Sequence, residues 1–437
     1  MKSNYLIIII LIFGSLYAKG PLTISEAYQL GLSNAHKVKT SWYKYQAAKE
    51  RIKQKEAALY PQLSLSARLS KKYNKIFQQS DDNTTKKIET EKSISLNFTQ
   101  VIYDASLKIA KEIEEKRGQL SQLDHTILQQ NFATEILKHY FDILQTKNRI
   151  TVLKSYAKYY ASLLKLAKGQ MKFNLINEME LINIEVNYEK TKMQIEKEKE
   201  LLRSYKKALA YLIDLPVAEV KLPQGRFRYL PNTLLKDLLA TVKSIDPGVN
   251  SLEYQRAKKD SEIMAKRVKE AQSARLPKIN FSANYTKYFS KSNESYYKSR
   301  KSVALQLNMP IYQGGRISAA VEEAKFNRLA ALNSAMQVGK DVEIRYNQEL
   351  ANFKFLIKSV KIYKKAYKKA KLYHKLAKKG YKSGIKSIVD LYDSETKLNE
   401  TKFKYMQNLY DLMTSYTKLL ILSNNMDSLV LLDKIVQ

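Results

Sequence analysis

The sequence contains few residues with the types and spacing that catalysis or metal binding requires. The chain has no cysteine, which excludes disulfides, thiolate metal sites and a thiol nucleophile. The histidines lack the spacing of metal ligands, so we expect each at a surface or a helix seam: His36, His125, His139 and His374. A Walker A loop, a G-x-S-x-G turn and an H-E-x-x-H helix are all missing from the sequence. We therefore expect no enzymatic activity, no cofactor and no resident metal.

One pair of carboxylates does have a spacing that could matter. Asp390 and Asp393 are three residues apart, and on an α-helix this separation places both side chains on one face. Carboxylates gathered around a narrow passage favour cations and can bind multivalent ones. Two acids on an ordinary solvated helix face have the same spacing. The function of the pair therefore depends on the elements that position it.

The composition indicates long, regular elements joined by few loops. Only 12 Gly and 8 Pro occur among 437 residues, well below a low-complexity composition. Lys and Arg number 76 against 42 Asp and Glu, a formal net charge of +34. These charges are spread along the whole chain with acids interleaved, and no nucleic-acid-binding motif accompanies them. They indicate solvated helix faces, and we expect no nucleic-acid partner.

Residues 1–18 have the pattern of an export signal. Lys2 precedes an apolar run over residues 6–13, and small residues lead to Ala18. The run is too short to span a bilayer, and a buried N-terminal helix is the alternative interpretation. We expect cleavage after Ala18 and a protein that works outside the cytoplasm.

The chain contains an internal repeat with a period of roughly 210 residues. Residues 57–67 resemble residues 273–283, and residues 93–104 resemble residues 302–313. Leu166-Ala167-Lys168 also matches Leu376-Ala377-Lys378. We expect two copies of one unit, each with the order helix, strand, strand, long helix, break, long helix.

Alternating apolar residues predict two strands in each copy. The apolar positions of the four strands are Leu63, Leu65, Ala67 and Leu69; Ile94, Leu96 and Phe98; Ile279, Phe281, Ala283 and Tyr285; and Val303, Leu305, Leu307 and Met309. Pro61 and Pro277 end the preceding helices. The segments are about as long as tilted outer-membrane strands require. The Lys-rich residues 71–92 and 287–301 are expected to be the loops between the paired strands, either solvated or in contact with lipopolysaccharide.

The helices after the strands are predicted to be very long and supercoiled. About 65 residues without proline follow each hairpin, and a helix of that length extends roughly 100 Å. The return helices carry apolar residues at every seventh position, which places them on one coiled-coil seam: Leu181, Tyr188, Ile195, Leu202 and Leu209 in the first copy, and Leu391, Leu398, Tyr405, Leu412 and Leu419 in the second.

These boundaries divide the chain into a signal peptide (1–18), a first repeat (19–215), a linker (216–231) and a second repeat (232–437). The first repeat contains a hairpin at about 62–101 and long helices at about 105–213. The second contains a hairpin at about 278–309, long helices at about 316–422 and a C-terminal tail.

The duplicated unit resembles TolC-type outer membrane efflux proteins over essentially the whole mature chain. The resemblance rests on the junctions LYPQLSLSA and RLPKINFSA and on MPIYQGGRISAAVEEA after the last strand. It implies a mainly α fold with a membrane β-barrel part. Three protomers would form a twelve-stranded barrel in the outer membrane of a Gram-negative bacterium and a long periplasmic α-helical barrel. The implied function is that of a passive exit duct in a tripartite efflux pump or a type I secretion system.

The resemblance also implies partners. They are two further copies of the chain, a periplasmic adaptor, outer-membrane lipid, and an inner-membrane transporter of the resistance-nodulation-division, ABC or a similar type. The chain lacks the lipidated N-terminal cysteine of some members, so it resembles the non-lipidated branch. An exported coiled-coil structural or adhesion protein without a channel is the alternative function. The sequence does not identify the cargo.

In the family, the periplasmic entrance carries two acids in stacked rings, and Asp390 and Asp393 match them. A latch there joins an acid in the first repeat to a base and a tyrosine in the second, and these match Glu180, Lys386 and Tyr381. The family has Asp and Arg where this chain has Glu180 and Lys386, and lysine lacks the bidentate fork of arginine. The tips of the helical hairpins are predicted at Asn174 and Gly384.

Overall fold

The computed structural model describes residues 22–77, 84–173, 175–220, 232–243, 250–289 and 298–426. The predicted signal peptide and most of the predicted linker lie outside these ranges, as does the tip residue Asn174. The helices are α1 (Ile24–Asn34), α2 (His36–Ala57), α3 (Ala105–Met171), α4 (Glu178–Ile213), α5 (Asn232–Lys243), α6 (Leu252–Ser273), α7 (Arg316–Lys382) and α8 (Ile388–Leu422). The strands are β1 (Gln62–Phe77), β2 (Thr84–Tyr103), β3 (Lys278–Tyr288) and β4 (Ser299–Asn308).

The repeat is visible in the order of the elements. In both halves of the chain, a helix is followed by a β-hairpin, then by a helix of 67 residues and then by a return helix. The breaks between the long helices lie at residues 172–177 and 383–387, as predicted. Among the residues that the structure describes, no helix combines the length and the apolar character needed to cross a membrane.

The chain forms two compact units. One comprises the chain up to Ser41, His125–Tyr254 and the chain from Gly339 onward. Its larger apolar cluster packs residues of α1, α3, α4, α5, α7 and α8, with Tyr140, Phe353 and Tyr416 fully buried. A smaller cluster packs α3 against α4 and α8 near their ends, around Ala167, Ile184 and Leu391. The predicted heptad positions of α4 and α8 are all buried or half-buried, which confirms the seam.

The other unit comprises Trp42–Asp124 and Gln255–Val338 and contains the sheet. The strand order is β1-β2-β3-β4 and every neighbouring pair is antiparallel, so β2 and β3 join the two repeats. Below the sheet, Lys116 and Lys266 pair with Glu262 and Glu112 at 2.6 and 2.5 Å, and these pairs link α3 to α6.

The strands of the first hairpin are longer than the sequence predicted. β1 has 16 residues and β2 has 20, against 11 and 10 for β3 and β4. Much of the Lys-rich segment 71–92, predicted as a loop, therefore lies on paired strands, and the same holds for Lys287 and Lys301. Lysine in a loop and lysine on a solvated strand face look alike in sequence. The structure distinguishes the two, because Lys71 and Tyr73 pair in regular register with Thr90 and Ile88 of the neighbouring strand, and Thr and Ile favour strands.

Candidate functional site

The turn between α7 and α8 is built around Gly384. Its φ is +73°, a left-handed conformation in which a side chain would be strained. The N–H groups of Ile385 and Lys386 both donate to the Gly380 carbonyl, at 2.9 and 3.2 Å, and close the end of α7. Gly384 therefore lies in the turn between α7 and α8.

Asp390 closes the first turn of α8. The Ser387 N–H donates to Oδ2 of Asp390 at 3.0 Å, and the Ser387 hydroxyl accepts from the Asp390 N–H at 3.0 Å. Lys386 Nζ lies 3.4 Å from the other carboxylate oxygen. The hydrogen bonds from the Ser387 backbone and hydroxyl, together with the charge of Lys386, hold the pKa of Asp390 below its ordinary value. The carboxylate is therefore ionised at neutral pH.

Asp390 and Asp393 lie on the side of α8 that faces away from the apolar cluster. Ile388, Leu391 and Ser394 are buried, whereas Asp393 is exposed and Asp390 is partly exposed. The two acids are thus one helical turn apart on the accessible side of α8. This arrangement leaves both carboxylates available to solutes or to another subunit.

The turn between α3 and α4 has an equivalent construction. Phe173 and Leu175 donate their N–H groups to the Gln170 carbonyl at 3.1 and 3.0 Å, and Asn177 accepts from the Glu180 N–H at 2.8 Å. Glu180 therefore has the same third position in α4 that Asp390 has in α8. Unlike Asp390, its carboxylate makes no hydrogen bond or ion pair with any described residue.

Among the described residues, the predicted latch residues do not bond to one another. Lys386 pairs with Asp390, and the Tyr381 hydroxyl accepts a hydrogen bond from Gln170 Nε2 at 3.2 Å. Within the described part of the chain, neither residue bonds to Glu180. Sequence reasoning missed Gln170 because a lone glutamine in the last turn of a long helix belongs to no motif.

An aromatic cluster packs α3 against α8. Tyr160 of α3 packs against Tyr392 of α8 with ring centroids 5.7 Å apart, and Tyr156 stacks on Phe403 at 6.5 Å. Burial raises the pKa of Tyr156, Tyr159 and Tyr160 well above the usual range. These phenols stay neutral at physiological pH and fix α3 against α8 through packing.

A polar cluster joins α7 to α8 a few turns from the tip. His374 Nδ1 lies 3.0 Å from Ser394 Oγ, and its Nε2 lies 3.0 Å from a Glu395 carboxylate oxygen. His374 therefore lies at a helix seam, one of the two locations predicted for it. His125 has a separate partner, since its Nδ1 lies 2.6 Å from the Ser41 hydroxyl. Among the described residues, no group of three or more acids and histidines could hold a metal ion.

Comparisons with known proteins agree with this architecture. The family model for outer membrane efflux proteins matches residues 27–212 and 249–425, one segment in each repeat. The outer membrane protein TolC of Salmonella enteritidis is 24% identical over 402 residues, which cover 87% of this chain and 77% of that protein.

Two solved structures have the same fold. The Campylobacter jejuni CmeC outer membrane channel aligns with a TM-score of 0.78 at 14% identity, covering 92% of this chain and 85% of that one. CusC aligns with a TM-score of 0.76 at 16% identity, covering 93% and 95%. The predicted fold class is confirmed, and the matches support the channel rather than an exported coiled-coil protein. The chain belongs to the outer membrane efflux protein family, and it is an outer-membrane efflux channel.

Proposed function

We propose that three copies of the chain form one exit duct across the outer membrane. The observation that carries this proposal is the sheet. In the described structure, its four strands pair only with one another, which leaves β1 and β4 as edges. Unpaired strand edges are not tolerated in a bilayer, and a closed barrel needs at least about eight strands. Two sheets would reach that minimum, and three sheets, the number that the family resemblance implies, give a barrel of twelve strands when joined through these edges.

The outward face of this barrel is the apolar face of the sheet. Leu65, Val303 and Leu305 are 70–73% exposed in the single chain. An exposed band of this kind suits a lipid environment and is unfavourable in water. The opposite face carries Ser64, Ser66, Asn97 and similar residues, which suit a water-filled interior.

The helical tips are the proposed docking site for the periplasmic adaptor and the inner-membrane transporter. Four apolar side chains at the two turns are 68–79% exposed: Phe173, Leu175, Met179 and Ile385. Clusters of exposed apolar residues at the end of a rigid element mark contact surfaces. Movement of cargo needs no energy from this chain, because the duct is passive and the transporter supplies the driving force.

Asp390 and Asp393 are the proposed constriction, and Glu180 with Tyr381 and Lys386 the proposed latch. With three-fold symmetry, six carboxylates would surround the entrance and bind cations. The accessible position of both acids and the unpartnered Glu180 carboxylate support these roles.

Single-channel recording in a planar bilayer tests the proposal. The purified mature chain should produce small cation-selective currents that a trivalent cation blocks from the periplasmic side. Asp390→Asn with Asp393→Asn should abolish the block. The control is Glu196→Gln with Glu200→Gln, which removes two exposed acids of α4. Failure of the wild-type chain to insert contradicts the channel, whereas equal block in both variants contradicts only the acidic constriction.

A further inference from the structure

Four lysines lie on the same face of the sheet as the apolar band. Lys71 follows Leu69 by one pleat on β1, and Lys92 stands directly opposite Leu69 on β2. Lys287 stands opposite Ile94, and Lys301 stands opposite Tyr285. Because side chains alternate along a strand, these four point to the side that carries the leucines. We call Lys71, Lys92, Lys287 and Lys301 the lysine row.

The row marks the end of the apolar band nearer the hairpin turns. Going from β4 to β1, each lysine lies on the next strand and two residues closer to the hairpin turns than the lysine before it. Strand spacing and rise make each step roughly 8 Å. The apolar band steps along the same diagonal, because its last residues before the row are Leu69, Ile94, Tyr285 and Val303, each two residues from a lysine of the row. The row is therefore a basic border to the band.

Aromatic rings accompany three of the four ammonium groups. Lys71 lies 5.7 Å from the centroid of the Tyr73 ring, and Lys287 lies 5.5 Å from that of Phe289. Lys301 lies 6.0 Å from the ring of its cross-strand partner, Tyr285. Amphipathic and aromatic side chains concentrate where a membrane meets water.

The lysine row has no carboxylate beside it. Among the described side chains on this face of the sheet, none is Asp or Glu. On the opposite face, Lys72 does have an acidic partner, Glu91, at 3.7 Å. The lipid-side lysines are exposed and their charge is not balanced within the sheet. Among the described residues, no acidic side chain balances these lysines, so an anionic partner outside the sheet can do so.

We propose that the lysine row binds the phosphate groups of the glycolipid in the outer leaflet, the lipid A headgroup. This inference rests on the proposed function, because it takes the apolar band as the lipid-facing belt. The turns lie at the end of the sheet opposite α2, α3, α6 and α7, which the duct places in the periplasm. The row therefore lies at the outer headgroup level. Its length of roughly 25 Å fits several phosphates rather than one free ion.

The test measures binding of lipid A to the full mature chain in detergent micelles. The probes are diphosphoryl lipid A, the same lipid with both phosphates removed, and inorganic phosphate. The test variant changes all four lysines of the row to Gln. The control variant changes four cations at the same end of the opposite face to Gln, namely Arg68, Lys72, Lys298 and Arg300. Both variants lose the same net charge.

We expect wild type and control to bind diphosphoryl lipid A at least about tenfold more tightly than the test variant, since each lysine near an anionic surface contributes about fivefold. The preference for the phosphorylated lipid should weaken in salt. A third variant with all four lysines changed to Arg keeps the charge and should bind like wild type. Equal affinity of the test and control variants, or equal competition by inorganic phosphate at matched phosphate concentration, would overturn the proposal.

The same preparations are recorded in planar bilayers made without lipid A. If the test variant gives channel currents and its lipid A affinity is unchanged, the proposed role of the lysine row is refuted while the proposed duct is not. No current from any variant, wild type included, refutes the proposed function.

Discussion

The hydroxyl of Tyr381 accepts a hydrogen bond from Nε2 of Gln170 at 3.2 Å. Gln170 lies in the last turn of α3 in the first repeat, and Tyr381 lies in the last turn of α7 in the second. This bond therefore ties together the last turns of the two longest helices, directly beside the turns that lead to Glu180 and Asp390. Any movement that separates the two hairpin tips within a protomer has to break it.

Removal of this bond should make the entrance easier to open. Tyr381→Phe keeps the ring and leaves the Gln170 amide without its partner, a change that costs about 1 kcal/mol in a typical protein. We expect a higher single-channel conductance or a larger fraction of open time. The measurement is a planar-bilayer recording at fixed voltage.

Tyr373→Phe is the matched control for this variant. Tyr373 is on the same helix about two turns earlier and is 45% exposed, so loss of its hydroxyl should leave the currents unchanged. If both variants behave like wild type, the bond between Tyr381 and Gln170 does not hold the entrance closed.

The fold was largely predictable because its determinants are local or repeated. Pro61 and Pro277 mark the starts of the hairpins, Gly384 marks one helical turn, and the heptads mark the seams of α4 and α8. The internal repeat reduces the number of alternative folds, since each sequence signal has to fit the same element in both copies. The strand character of Lys71 could not be predicted, because lysine is compatible with both a loop and a solvated strand.

The contacts at the entrance were less predictable. The family resemblance implied Asp390 and its spacing from Asp393 supported it, but its bonds to Ser387 and Lys386 depend on the rotamers at one helix start. Serine three residues before an acid is a capping-box pattern, so this bond had a signal that could have been used. The bond between Gln170 and Tyr381 spans 211 residues of sequence and had none.

Gly384 should be essential to the turn between α7 and α8, whereas Gly169 within α3 should tolerate alanine. Alanine at its φ of +73° should cost about 1–2 kcal/mol. Local opening of the turn would then increase, and the amide hydrogens of Ile385 and Lys386 should exchange about 5 to 30 times faster. Hydrogen–deuterium exchange with peptide-level mass spectrometry measures this directly.

Gly169→Ala provides the comparison. A Cβ at Gly169 meets no atom within 4 Å, and a helical alanine is favoured over glycine by about 1 kcal/mol. Exchange in the last turn of α3 should therefore slow or stay the same. Faster exchange in both variants would mean that the assembly responds to substitution in general and not to the conformation at Gly384.

Cation block should persist to unusually low pH. The pKa of Asp390 is lowered in the fold, so its ionised form and the stabilisation it contributes are present above the ordinary aspartate value and are lost only as the pH falls through the lower, folded one. Measured in an Asp393→Asn background, block should therefore survive below the ordinary pKa of aspartate. Ser387→Ala removes the hydroxyl bond and should shift the loss of block to higher pH.

Ser383→Ala is the control for this shift. Its hydroxyl bonds to the Lys379 and Gly380 carbonyls in the same turn and does not contact Asp390. In the same Asp393→Asn background, we expect its block to titrate like that of the parent variant. Identical titrations for the Ser383 and Ser387 variants would show that Ser387 does not set the ionisation of Asp390.

The latch itself can be tested by exchange of its charges. The Glu180 carboxylate has no partner in the described structure of the single chain, whereas Lys386 is held by Asp390. If Glu180 attracts Lys386 in the closed channel, Glu180→Lys should place two like charges together and raise the conductance. Lys386→Glu should do the same by opposing Glu180 and Asp390. The double variant restores an opposite pair and should lower the conductance toward the wild-type level. If the change in conductance of the double variant equals the sum of the changes in the two single variants, Glu180 and Lys386 do not interact. The latch would then lie elsewhere at the entrance.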